Sequence, residues 1–323
     1  MKLIQILAAM TLALTAPVWA QAGKFPEKDK PIRIIVPFAA GGGVDSAARL
    51  LGEQLRKQLG VPVLVDNKAG ASGTLGGQAV KTAAADGYTL LFSAATHVLA
   101  KQVLANAPYD PQTDFAPVAR VGEAPLMLVV SPQQPENKLA DVLAAVKRQP
   151  DKWLAAIPAA GAPSHLATLL LAKEAGIKFT YVPYKGTQPA LIDVAGGQVN
   201  LLLDSMISVL PLAKSGRVKP IAISSRKRSA LAPEVPTMQE AGMAGFHYVS
   251  WYGVWAPKGT PADRVAALHD AISTAVGTLG SNGAFASLGI EPVTDTTEQF
   301  KRYIANDVSQ STELLKSAGF KPE

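Results

Sequence analysis

Short β-branched runs alternate with longer amphipathic segments along almost the entire chain, and this alternation restricts the possible folds more than any single motif does. Residues 32–36 (IRIIV), 61–65 and 88–93 (YTLLFS) read as strands, and residues 45–59 and 75–84 between them read as helices. Beyond Pro117 the pattern resumes, with strands predicted at 126–130, 153–157, 179–182, 201–203, 218–223 and 248–256. Helices are predicted at 139–148, 165–175, 189–195 and 207–215, and two more, 261–278 and 297–317, close the chain. Strands separated by helices of this length build a parallel sheet with helices on its faces. No self-similarity recurs at a period of 20 to 50 residues, which argues against a solenoid.

A chain of 323 residues suggests two domains or one large one. With 48% hydrophobic and 17% charged residues it has the means to bury a core. Connections near 121–126 and 250–257 could be two crossings of one hinge, the last helices returning to the first unit and leaving a cleft between two lobes. The net charge of +6 is scattered rather than clustered, so nucleic-acid binding is not expected. The absence of cysteine removes thiolate nucleophiles, iron–sulfur clusters and cysteine zinc sites.

The first 22 residues have the layout of a secretory signal peptide: Lys2, an apolar stretch over 3–14, then Pro17 and small residues, with cleavage expected after Ala20 or Ala22. The apolar stretch is short for a membrane span, and nothing later approaches 18 uninterrupted apolar residues. Export to the periplasm as a soluble protein is the expectation.

In open parallel sheets ligands bind beyond the carboxyl ends of the strands. Five strand-to-helix junctions qualify: Phe38 to Ser46 with Ala40, Gly41, Gly42, Gly43, Val44 and Asp45; Ser93 to His97 with Thr96; Ala159 to His165 with Ala160, Gly161 and Ser164; Tyr184 to Gln188 with Lys185 and Gly186; and Asp204 to Met206. Glycines there let the backbone approach a ligand, and the amides of a helix start favour an anion. The simpler reading of Asp45 is a helix cap, and Asp204 is either a cap or a partner of ligand or water. Neither GxxxxGK[ST] nor GxGxxG is present, so no nucleotide cofactor is indicated. His97, His165, His247 and His269 lack metal-binding spacing, and no GxSxG elbow supports a nucleophile. No cofactor, no metal and no catalytic residue are expected.

The stretches KPIRIIVPFAAGGGVDSAAR (30–49), VDNKAGASGTLG (65–76), ADGYTLLF (85–92), YDPQTDFAPV (109–118), PSHLA (163–167), VPYKGTQPALIDVAGGQV (182–199), KRSALAPEVPTMQEAG (227–242) and WYGVWAPKGTP (251–261) together resemble the Bug family, the substrate-binding proteins of tripartite tricarboxylate transporters. The resemblance implies an α/β, two-lobed periplasmic-binding-protein fold of type II with a mainly parallel sheet in each lobe. Lobe one would comprise 23–123 and 252–323, and lobe two 124–251. It implies a protein that closes on a small carboxylate and delivers it to the large and small integral membrane subunits of such a transporter; a monomer is expected. A ligand-sensing module for a signalling receptor is the alternative, and an exported α/β hydrolase a more remote one. Ligand-binding residues carried over are Phe38, the 41–45 loop, Ser93, Thr96 and His97 in lobe one, and Gly161, Ser164, Asp204 and the 185–188 loop in lobe two.

This chain departs from the family pattern at Val44, where threonine is common, and over 157–162, which reads Ile-Pro-Ala-Ala-Gly-Ala in place of a serine-rich run. Both changes remove hydroxyls. They predict a more apolar pocket and a ligand with an apolar or aromatic body beside its carboxylate.

Overall fold

The computed structural model describes residues 25–322, so the predicted signal peptide lies outside the described residues. The first unit is β1 (Ile32–Val36), α1 (Gly43–Leu59), β2 (Val63–Asn67), α2 (Thr74–Lys81) and β3 (Thr89–Ala94), followed by two single-turn helices, α3 (Ala95–Val98) and α4 (Ala100–Val103). A long strand, β4 (Phe115–Val130), leads into the second unit. That unit holds α5 (Leu139–Arg148), β5 (Leu154–Ile157), α6 (Pro163–Ala175), β6 (Thr180–Pro183), α7 (Thr187–Gly196), β7 (Leu201–Ser205), α8 (Met206–Lys214) and β8 (Lys219–Ile223). The chain returns through β9 (Val249–Pro257) to α9 (Ala262–Ser281), β10 (Glu291–Pro292) and α10 (Thr297–Ser317).

The helices form where the sequence places an apolar stripe at helical spacing and close where it supplies caps. In α1, Ala47, Ala48, Leu51 and Leu55 fall on one face and are buried. Gly60 then ends the helix at φ 68°, its amide donating to the Arg56 carbonyl, while Arg56 and Lys57 complement the negative end of the dipole.

The strand order is β2-β1-β3-β9-β4-β7-β5-β6, with β8 and β10 added alongside β4. β1 is parallel to β2 and β3, and β5 is parallel to β6 and β7; the antiparallel pairs all involve the two connecting strands, β9 with β3 and β4, and β4 with β7, β8 and β10. The molecule is thus a two-lobed α/β assembly. α9 packs on α1 and β4, which returns the C-terminal helices to the first lobe. One core lies under α1 and α9 around Ile34, Leu51, Phe92 and Val276, and a second fills the other lobe around Leu128, Trp153, Leu171 and Phe246. A further cluster, centred on Trp251, Trp255 and Phe300, takes in Leu166 and Leu169 of α6 and so joins the lobes.

The structure corrects the reading of β4, whose first half, Phe115–Pro125, is also strand and pairs with β9. Two prolines and Gly122 hid it. The strand accommodates them by shifting register between Pro117 and Ala119 and again between Arg120 and Gly122, as bulges allow. At Leu126 its partners change from β9 to β7 and β8. Ser224, fully buried, sits at that change: its hydroxyl accepts from the Leu126 amide (2.8 Å) and donates to the Tyr248 carbonyl (2.6 Å). Both chain crossings between the lobes therefore meet at one side chain.

Candidate functional site

Between the lobes lies a cleft of about 460 Å³. The first lobe lines it with Pro37 to Ala40, Gly42 to Val44, Ala69 to Gly73, Ala94, Thr96, Ser250 and Tyr252; the second with Pro158, Ala159, Ala162 to Ser164, Tyr184 to Pro189, Asp204, Ser205 and Ser208. Each segment but the one on β9 joins a strand end to a helix start. α1, α2, α3, α6, α7 and α8 all begin here, and none has a side-chain N-cap hydrogen bond. Away from the cleft, α10 begins with a complete capping box formed by Thr296 and Gln299, whereas α5 and α9 have no side-chain cap either. First-turn amides have no intrahelical acceptor, so those at the cleft, apart from the Gly43 amide, which is bonded to Ser208 Oγ, are available to an anion.

Charged groups are few in the cleft, but the hydroxyls of Ser72, Thr96, Ser164, Tyr184, Thr187, Ser205, Ser208, Ser250 and Tyr252 and the Gln188 amide line it. Among the lining residues the charged side chains are Lys185, which is exposed, and Asp204, which is buried. Burial pushes the Asp204 carboxyl up to about 6, opposed by the Thr187 hydroxyl, which donates to Oδ2 at 2.6 Å, and by the Ser205 amide, which donates to Oδ1 at 2.7 Å. Thr96 Oγ1 and Ser164 Oγ are buried and make no hydrogen bond within the described chain. Phe38, Val44, Pro158, Ala159, Ala162, Pro163 and Pro189 supply the apolar part of the wall, and Ser205 Oγ and Tyr252 OH are two more buried hydroxyls without a partner in the described chain. The lobes touch at its edge, where the Gly43 amide donates to Ser208 Oγ (3.2 Å) and a Cβ on Gly43 would lie 2.9 Å from Ser205 Oγ.

Of the residues expected at the site, Phe38, Ala40, Gly42, Gly43, Val44, Thr96, Ser164, Lys185, Gly186 and Asp204 line this cleft. Gly41, Asp45, Ser93, His97, Ala160 and Gly161 are not part of its lining; Gly41 is exposed on its loop, and the other five are turned into the surrounding structure. Asp45 is buried beneath its loop: Oδ2 accepts from the Gly41 amide (2.9 Å) and Arg49 Nε (3.0 Å), and Oδ1 from Asn67 Nδ2 (2.9 Å). Burial opposes its ionisation, yet these three partners hold it below the usual carboxylate range. Gly41 turns that loop at φ 84°. Ser93 is interior to β3, opposite Gly253. The His97 ring packs edge-on against Phe115 and Trp255, and burial lowers it to about 3, so it stays neutral. Ala160 packs on the cluster shared by the lobes, and Gly161, at φ 68°, lies where a Cβ would meet Val103 at 2.8 Å.

The sequence reading passed over the 69–73 turn, Ser208, Ser250 and Tyr252. The turn follows the same rule as the other five junctions, lying between β2 and α2, and its Gly-Ala-Ser-Gly run was the available signal. Ala71 and Ser72 hold positive φ, 46° and 51°, between two glycines that do likewise. Tyr252 and Ser250 arrive on β9 from 200 residues beyond β1, and no local pattern marks them.

The model for the tripartite tricarboxylate transporter family receptor matches residues 47–320. Protein BugT of Bordetella pertussis is 37% identical over 313 residues, covering 96% of this chain and 95% of that one. Among solved structures, the periplasmic binding protein BugD superposes with a TM-score of 0.81 at 36% identity, covering 91% of this chain and 99% of that one. The R. palustris protein Rpa4515, solved with adipate, gives 0.86 at 31% identity, with 93% and 100% covered.

Proposed function

We infer the function from a premise these findings establish: the chain belongs to the tripartite tricarboxylate transporter receptor family and has the two-lobed periplasmic-binding-protein fold, with a solute-binding role. We propose that it captures a small carboxylate with an apolar or aromatic body in the interlobe cleft and hands it to the integral membrane subunits of such a transporter. The observation that carries this reading is the convergence of uncapped helix starts from both lobes on one cavity.

Micromolar affinity corresponds to about 8 kcal/mol. One helix terminus contributes roughly 0.3 to 1 kcal/mol to an anion, and one hydrogen bond to a charged group about 1.5 to 3. A single loop therefore falls short, and amides from both lobes must act on the ligand together. They can do so only when the lobes are closed, so ligand shifts the population toward the closed form. The apolar wall made by Phe38, Val44, Pro158, Ala159, Ala162 and Pro163 supports an apolar body.

We assign lobe one to 23–123 and 252–323, lobe two to 124–251, and the cleft residues named above to ligand contact. Residues 1–22 are assigned to export into the periplasm, where binding proteins of this family reside. No chemistry is assigned to the protein, in keeping with a family of receptors.

Native mass spectrometry of the protein as purified, followed by thermal-shift measurements with aliphatic and aromatic acids, tests the reading. Stabilisation by aromatic or branched carboxylates and recovery of the acid unchanged are expected. Stabilisation only by small hydroxylated di- or tricarboxylates would remove the apolar body, turnover would remove the binding role, and no response to any acid would remove the carboxylate. Ligand-dependent capture of the transporter's membrane subunits, rather than of a receptor, is the expected outcome of a pull-down.

A further inference from the structure

His165 does not line the cleft, yet it is only 4% exposed and its ring is held on more than one side. It is the third residue of α6, and its Nδ1 accepts from the Gly161 amide at 3.1 Å. A side chain at this position can reach back to the start of its own helix, as glutamate or glutamine does in a capping box. The bond closes a loop over 161–165, and Ala162, Pro163 and Ser164 within it line the cleft. Ala162, which precedes the helix, supplies no side-chain cap, so His165 takes over the fixing of this stretch of wall.

Both ends of that loop rest on the first lobe. Gly161 lies where a Cβ would stand 2.8 Å from Val103 Cγ1 and 3.6 Å from Leu99 Cβ. The His165 ring packs edge-on against Phe320, which follows α10, with 5.3 Å between ring centroids. α10 itself packs on β4 and α3 and reaches across to α6. Parting the lobes separates Phe320 from His165 and admits water to the ring. The titratable side chain packed on the ring among the described residues is Tyr181 of β6, at 6.2 Å between centroids, and burial keeps its phenol neutral. Lys316 and Lys321 flank Phe320 and are exposed. Burial lowers the His165 ring to about 4, and the positive end of α6 opposes a charge there as well. A proton on Nδ1 turns this acceptor into a donor, and the bond from Gly161 is lost.

We propose that His165 is the positioning residue for the second lobe's half of the site: its neutral ring, clamped by Phe320 when the lobes close, holds the 161–164 wall in place, so that ligand binding in acid expels a proton from it. This rests on the reading of the cleft as the binding site and is independent of which ligand binds. With the lobes apart the wetter ring titrates nearer the ordinary histidine value of about 6.5. Between there and about 4 the closed form carries fewer protons than the open form, so affinity falls as pH falls through that interval. A receptor built in this way releases its ligand on acidification.

The test compares the mature protein with two variants. His165→Asn keeps an acceptor where Nδ1 stands and cannot gain a proton, whereas His165→Leu keeps bulk and loses the acceptor. The probe is whichever of benzoate, 3-phenylpropanoate, adipate and malate binds the wild type, titrated by calorimetry at pH 7 and pH 5. At pH 7 His165→Asn is expected to match the wild type within about threefold, and His165→Leu, its fold checked by circular dichroism, to bind about tenfold more weakly, because the wall is formed in a smaller fraction of molecules. From pH 7 to pH 5 the wild type is expected to lose about tenfold more affinity than His165→Asn, in which the acid and every other group titrate as before. An equal loss in these two proteins overturns the proton coupling, and that comparison does not need His165→Leu. Wild-type affinity in folded His165→Leu overturns the positioning role; either result leaves the cleft reading standing. If none of the four acids binds, hydrogen exchange of the Gly161 amide in the ligand-free protein decides. Exchange about tenfold faster in His165→Leu but not in His165→Asn is expected, and equal rates in all three proteins overturn the inference, while the broader acid panel above judges the cleft.

Discussion

Asp307 and Asp45 are both shielded from solvent, yet their surroundings push them in opposite directions. Asp307, on α10, is raised to about 6 by burial, opposed by the neighbouring Trp251 indole. An unfolded aspartate titrates near 3.9, so the folded state binds the extra proton over the interval between. The stabilisation this gives is complete below about pH 4 and is lost as pH rises through about 6. Asp307→Asn, which cannot ionise, is therefore expected to raise stability at pH 7.5 by about 2 kcal/mol, a shift of roughly two units scaled down for partial exposure, and to change little at pH 4. Urea midpoints at the two pH values decide it; an equal loss at both would mean the side chain is held for its packing. Asp45 has the opposite sign. Its folded carboxyl is depressed, so its contribution is present at neutral pH and lost on acidification. Asp45→Ala removes the acceptor for the Gly41 amide, Arg49 and Asn67, at a cost of about 2 kcal/mol. Because those bonds fix the loop before α1, ligand affinity is expected to fall as well, though Asp45 lies behind the lining; unchanged affinity with lowered stability would assign it to the fold alone.

Among the elements, α2 shows how the scaffold sets the cleft. Gly76 packs so closely on the turn after β1 that a Cβ there would stand 2.7 Å from Pro37 Cβ and 2.8 Å from Pro37 Cα. Neither atom can swing aside, since one is backbone and the other belongs to a ring. Gly76→Ala is expected to cost about 1 to 3 kcal/mol, the range for overpacking, and to weaken ligand binding, because Pro37 and the 69–73 turn both line the site. Thermal melts with and without ligand would show both effects; a loss of stability with an undiminished ligand-induced shift would separate the packing from the site. What could be read in advance follows from the same local logic. β1, α5 and α10 were read residue for residue, because period and boundary residues agree there. The first half of β4 escaped because its prolines contradict strand propensity and only the neighbouring strands override it. The strand-to-helix junctions were legible since glycine and small residues mark them, whereas the withdrawal of His97 and Ser93 into packed interiors is decided by Phe115, Trp255 and Gly253, which approach from distant segments.

At the level of the whole molecule, two lobes can grip one ligand only if the junction between them is soft enough to rotate and firm enough to return to register. The two crossings meet at Ser224, where one hydroxyl ties the Leu126 amide to the Tyr248 carbonyl, and the Ser224 amide in turn donates to the Leu126 carbonyl at 2.9 Å. Ser224→Ala strands a buried donor and a buried acceptor, at a cost of about 1 to 3 kcal/mol. None of these groups lines the cleft, so any effect on binding must pass through the relative setting of the lobes. A looser junction spreads the closed state over more orientations and lowers the fraction competent to hold ligand, which weakens apparent affinity by that fraction. Dissociation is expected to accelerate about tenfold, as differences among related complexes fall mainly on the off-rate. The ligand-bound radius of gyration should also increase, while Ser224→Thr, which keeps the hydroxyl, restores both. Stopped-flow and small-angle scattering would read these directly. If Ser224→Ala lowers the melting temperature but leaves dissociation and the scattering of the bound form unchanged, the junction merely holds the sheet together, and closure must be guided from elsewhere, the shared cluster of Trp251, Phe300, Leu166 and Leu169 and the Gly43–Ser208 contact both spanning the lobes.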